Sequence, residues 1–131
     1  MAGDWRTWIR LAAASGFISV AAGAFAAHGL ADPAAKELLR TGAQYQAVHA
    51  IAVLAWAGLA RGQATRSAWP PGLFLGGTVL FSGSLYALAL GASRLIGMVT
   101  PVGGLMFLAG WASLAWGSGL AVGRVDRHSG S

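Results

Sequence analysis

A chain of 131 residues is one domain's worth of polypeptide, but 56% hydrophobic and 10% charged residues do not make a soluble domain, whose charged share is about a quarter. The net charge of +5 and pI of about 11.2 come from single Lys and Arg residues flanking apolar segments, which excludes a nucleic-acid footprint and reads as membrane orientation. The absence of cysteine excludes disulfide frameworks, thiolate zinc sites, iron–sulfur clusters and cysteine nucleophiles together.

Charged residues cut the chain into four uncharged stretches, Leu11 to Ala31, Thr41 to Ala60, Ser67 to Ser93 and Leu95 to Gly123, of 21, 20, 27 and 29 residues. A helix needs about 20 residues to cross a hydrocarbon core of about 30 Å, so each stretch spans once and none spans twice. The pattern of a membrane barrel is missing, which leaves helices. The expected fold is all-α: an integral membrane four-helix bundle with short loops. It is a single transmembrane domain over 1–131, with spans at approximately 9–29, 41–60, 71–91 and 97–121.

In chain order, the first stretch has the basic start of a signal peptide and small residues at Ala26-Ala27-His28. Its apolar run is longer than the 7 to 15 residues or so of such a segment and is rich in Gly and Ala, so it reads as a span. Asp32-Pro33 has the form of an N-cap and first helical residue, predicting either an interfacial helical turn before the second span or one long, protruding helix. Trp69-Pro70-Pro71 opens the third helix beside an interfacial tryptophan. Gly91-Ala92-Ser93-Arg94 makes helices three and four a tight hairpin. Thr100-Pro101 reads as N-cap and first residue of the fourth helix; a start at Leu95 would instead make Pro101 a kink. Four spans put both termini with the second loop, on the side that holds six cations against three, so the positive-inside rule places both termini in the cytoplasm or its organellar equivalent. Trp5, Trp8 and Trp69 suit the headgroup belt of that side.

Lipid tails are as apolar as leucine, so helices in a bilayer associate through close packing, and small residues mark the interfaces. Ser15, Ser19, Gly23 and Ala27 recur every four residues on helix one, and Gly72/Gly76 and Gly119/Gly123 have GxxxG spacing. These eight are the expected packing positions.

None of the four stretches contains Asp, Glu, Lys or Arg, which argues against proton-coupled exporters and voltage sensors. The candidate polar cluster is His28, Gln44, Tyr45, Gln46, His49, Ser82, Ser84, Tyr86 and Thr100. His49 lies roughly 12 Å into the second span by helical rise, with Tyr45 and Gln46 on its face. It is either a proton-relay, ligand-binding or haem-ligating residue, or a neutral ring hydrogen-bonded to its own helix or to Ser82 or Tyr86. A haem between His28 and His49 fails on depth, since His28 lies near the interface. Ser82 and Tyr86 share one face of helix three. No catalytic residue, metal site or cofactor is expected.

Four stretches together resemble the small, uncharacterised YgdD-like inner-membrane family, which has eukaryotic mitochondrial transmembrane relatives. They are 23–30 (GAFAAHGL), 41–50 (TGAQYQAVHA), 80–86 (LFSGSLY), and Thr100-Pro101-Val102-Gly103-Gly104 with Phe107, Gly110 and Trp111. Ala26 stands where the family pattern usually has glycine. The resemblance implies a four-helix membrane protein and no established activity. The leading expectation is a non-enzymatic interaction or assembly protein whose partners are membrane lipid and another membrane protein or a second copy, with no nucleic acid. The alternative is a small-molecule, ion or lipid binding protein or transporter with a polar intramembrane cavity.

Overall fold

The computed structural model describes residues 4–61 and 67–125, with 118–125 described through their backbone. Among these residues there are four α-helices: α1 (Trp5–His28), α2 (Pro33–Ala60), α3 (Trp69–Ala89) and α4 (Thr100–Val125). A short 3-10 helix, Arg94–Met98, precedes α4.

Local chemistry sets these boundaries. Asp4 caps α1 through Oδ1, which accepts from the Arg6 N–H at 3.2 Å. Asp32 caps α2, with Oδ2 accepting from Ala35 N–H at 3.0 Å and Pro33 supplying the first turn. From there α2 continues unbroken for 28 residues, so the segment after Asp32 is one long helix and not a separate helical turn. Gly29 closes α1 at φ −101°, so it is not needed for a left-handed turn; the Phe25 ring fills the space a β-carbon would take. Gly91, at φ +97°, does make the turn after α3. The hairpin after it is longer than the sequence implied, because Ser93 opens the 3-10 turn through 94–98. Thr100 is itself the first residue of α4, and Pro101 lies in the first turn, where it has no helical hydrogen bond to break.

Three segments are long and apolar enough to cross a membrane: Trp5–His28, Trp69–Ala89 and Arg94–Gly117. The polar residues of α2 keep it out of that group, yet α2 is the most enclosed helix. Leu39, Gly42, Ala43, Gln46, His49, Ala50, Ala52, Val53, Trp56 and Ala57 are all buried. It packs on α1 and α3, and α3 packs in turn on α4.

The face that α1 turns to α2 consists of Ala12, Ser15, Ser19 and Ala26. A repeat of four outruns the 3.6-residue turn, so a stripe started at Ser15 has rotated by about 120° when it reaches Ala27. Ala27 is accordingly exposed while its neighbour Ala26 is buried, and a β-carbon placed on Gly23, which lies between them in rotation, would just reach Ala43 at 4.0 Å. The α3–α4 seam also lies one residue from the GxxxG positions. Among the described residues, a β-carbon on Gly72 would meet Trp8 at 4.0 Å and one on Gly76 the flexible end of Met106. The backbones approach at Gly77 and Gly103: a β-carbon on Gly103 would lie 2.8 Å from Gly77 O and 2.8 Å from Phe81 Cβ. Gly110 gives way to the Phe74 ring in the same manner. Gly119 and Gly123 fall among the residues described by backbone, so their packing lies outside the described contacts.

Candidate functional site

The polar residues of α2 divide between two faces. On the first, Gln46 is 5% exposed and bridges three helices: its Nε2 donates to Ser15 Oγ on α1 at 3.1 Å, and its Oε1 accepts from Tyr86 OH on α3 at 2.6 Å. One turn earlier, Gly42 lets Tyr86 lie flat across α2, since a β-carbon there would sit 2.6 Å from Tyr86 Cε1. The freed space also brings Ser82 Oγ to donate to Gly42 O at 2.7 Å. Ser82 and Tyr86 thus use their shared face to bind α2, through its main chain and its carboxamide respectively. Groups of this kind need partners in a low-dielectric interior, because an unmade hydrogen bond there has no water to replace it.

The second face belongs to His49, 3% exposed. Its Nδ1 lies 2.7 Å from Tyr45 O and its Nε2 accepts from Trp111 Nε1 of α4 at 3.1 Å. A carbonyl only accepts and an indole N–H only donates, so the ring carries its single proton on Nδ1 and is neutral. Phe107 stacks on it with centroids 3.6 Å apart and planes 9° from parallel, and Phe74 closes another side at 5.5 Å. His49 therefore faces neither Ser82 nor Tyr86, the cross-bundle partners its sequence position suggested. Trp111 and Phe107 occupy that role; they were visible only as part of the family resemblance, since nothing in local spacing pairs residues so far apart in sequence.

The remaining candidates do not join these groups. Ser84 and Thr100 bond each other at 2.5 Å, tying α3 to the start of α4, so the Thr100 hydroxyl serves a neighbouring helix. His28 and Gln44 are exposed, and Tyr45 is 45% exposed, contributing its carbonyl to His49 and its ring to Phe81 at 4.5 Å. Trp8, expected at the headgroup belt, instead turns inward and meets Trp56 edge to face at 6.1 Å. The indole N–H groups of Trp8 and Trp56 are the buried polar atoms without a hydrogen-bond partner among the described residues. No three His, Cys, Asp or Glu side chains cluster with metal-ligand geometry among the described residues. A groove of about 560 Å³ opens sideways between α1 and α3, with Leu11, Ile18 and Val79 on its walls and Ser15, Gln46 and Tyr86 among its lining.

Residues 22–104 match a family described as a protein of unknown function, DUF423. Among curated proteins, a UPF0382 membrane protein of Haemophilus influenzae is 49% identical over 114 residues, covering 85% of this chain and 92% of its own. The UPF0382 inner membrane protein YgdD of Escherichia coli is 48% identical over 120 residues, 86% of this chain and 89% of its own. A UPF0382 membrane protein of Staphylococcus saprophyticus is 36% identical over 116 residues, 86% and 97% of the two chains. No solved structure matches.

Proposed function

The chain belongs to the DUF423 family of membrane proteins, and from that premise we propose that it is a four-span inner-membrane protein with a non-enzymatic role in interaction or assembly. The observation that carries this reading is the mutual pairing of the buried polar side chains. Gln46, His49, Ser82, Ser84 and Tyr86 are each bound to another side chain or to the main chain. Groups committed in this way hold helices together, and none of these five side chains is left free to act as an acid, base or nucleophile.

The same pairing supports α2 as the fourth span. Its hydropathy falls short in part because of Gln46 and His49, whose polar atoms are satisfied within the bundle, and such residues are tolerated at membrane depth. Both termini then lie with the 61–66 loop on the cation-rich, cytoplasmic side. Cysteines placed by Ser131→Cys and Ala64→Cys should resist a membrane-impermeant thiol reagent in intact cells, whereas Ala34→Cys, an exposed position before α2 enters the bundle, should react. Labelling at 131 with protection at 34 reverses the orientation.

The functional reading is tested by purifying the tagged protein from native membrane within its surrounding lipid. A stoichiometric membrane protein, or a second copy of the chain, is the expected result. Recovery of the monomer with a stoichiometric small molecule would replace it with the second reading, a lipid or small-molecule binding protein, which the lateral groove over Ser15, Gln46 and Tyr86 favours.

A further inference from the structure

At the end of the bundle where α1 begins and α2 stops, two cations converge on one aromatic ring. The guanidinium carbon of Arg6 lies 5.2 Å from the Trp5 ring centroid and that of Arg61 lies 5.0 Å from it. Arg6 belongs to α1 and Arg61 follows the last residue of α2, so the arrangement exists only when the two helices are packed. Two like charges share this one ring. Among the described residues neither guanidinium has an ion-pair partner: the ion pair present, Glu37 with Arg40, is at the opposite end of α2. The nearest carboxylate in sequence, Asp4, directs Oδ1 to the backbone N–H of Arg6 as a helix cap.

Three features define what completes this site. The first is charge: two exposed guanidinium forks call for an anion with several acceptor oxygens, and a phosphate group matches their planar, bidentate geometry. The second is depth. α1 is long and apolar enough to cross a membrane, and a span over it would put Trp5 and Arg6, at its first turn, at the level of lipid phosphates. The third is selectivity. A zwitterionic headgroup would bring its own cation toward Arg6 and Arg61, whereas a headgroup with no cation adds no such repulsion. We propose that Arg6, Trp5 and Arg61 form a binding site for the phosphodiester of an anionic phospholipid. The lipid bridges α1 and α2 and strengthens their contact, because it binds a geometry present only in the folded bundle.

The test compares thermal unfolding in dodecylmaltoside micelles containing equal fractions of phosphatidylglycerol or phosphatidylcholine. Phosphatidylglycerol should raise Tm by several degrees over phosphatidylcholine; Arg6→Gln and Arg61→Gln should each remove most of that increment. Arg10→Gln, at an exposed cation one turn along with no contact to the ring, should keep it. Native mass spectrometry gives a readout independent of unfolding: phosphatidylglycerol adducts should fall several-fold in the Arg6→Gln/Arg61→Gln double variant and persist in Arg10→Gln. The site is overturned if there is no preference for the anionic lipid, or if Arg10→Gln is as damaging as Arg61→Gln, which would mean diffuse attraction to basic residues. An equal rise from inorganic phosphate added to phosphatidylcholine micelles would also overturn it, assigning the site to a free ion.

Discussion

The contacts of α2 and the seam between α3 and α4 are two solutions to one problem. Apolar burial gives no net attraction between helices already in hydrocarbon, so something else must hold them. Around α2 the answer is directional: Gln46 reaches α1 and α3, Gly42 O receives Ser82, and His49 accepts from Trp111 of α4. Between α3 and α4 the answer is proximity, with Gly77 against Gly103 and Gly110 against Phe74, and one hydroxyl pair, Ser84 with Thr100, at the end. A hydrogen bond fixes register and orientation but tolerates small shifts. Backbone contact through glycine tolerates no added atom, yet it specifies little about chemistry. The two regions should therefore fail differently when altered.

The largest effect is expected at the glycine seam. Gly103→Ala puts a methyl group against the Phe81 backbone and Gly77 O and should cost about 1–3 kcal/mol, read as a loss of thermal stability in detergent. Gly83→Ala, on the facing α3 helix at a position where a β-carbon meets nothing within 4 Å, should be neutral or gain a few tenths up to about 1 kcal/mol from helix propensity. Equal losses at both positions would show that the seam is not where the backbones meet.

At the directional contacts the effects should be intermediate. Gln46→Leu leaves Tyr86 OH and Ser15 without their partner and should cost about 1–2 kcal/mol in detergent unfolding. His49→Leu orphans the Trp111 N–H and should cost about 1 kcal/mol, whereas His49→Gln, whose amide oxygen can still accept it, should retain most of the stability. A glutamine variant as unstable as the leucine one would mean that stacking on Phe107, and not the hydrogen bond, holds the ring. The smallest effect is expected at Ala27. Ala27→Leu should fall within about 0.5 kcal/mol of the parent, since the residue is exposed, and a larger loss would place an unseen helix against that face.

The elements were legible in the sequence because they rest on local chemistry and length. Uncharged stretches of about 20 residues and the Asp32-Pro33 start each act within a few residues. The long form of α2 was one of two open alternatives, since propensity does not say where a helix meets a membrane surface. Ser15, Gln46, Ser82 and Tyr86 could be named as polar residues in apolar stretches, but their pairing depends on which face of α2 each neighbour covers. The spacing of four along α1 misled at Ala27 because it treats a 3.6-residue turn as four. The seam at Gly77 and Gly103 was missed for a related reason. GxxxG spacing marks a pair within one helix, whereas these two glycines meet across helices and are 26 positions apart in the chain.

The polar groups of α2 hold the bundle together by binding groups on the neighbouring helices. A double-mutant cycle on Gln46→Leu and Tyr86→Phe measures that directly, because both substitutions remove the same hydrogen bond, 2.6 Å long, between α2 and α3. Equilibrium unfolding in mixed micelles should give a coupling free energy of about 0.6 kcal/mol, and up to about 1.7 kcal/mol, the mean and maximum found for hydrogen bonds between membrane helices. Losses that simply add, with no coupling, would contradict the claim and leave Gln46 and Tyr86 free for a ligand in the groove beside them.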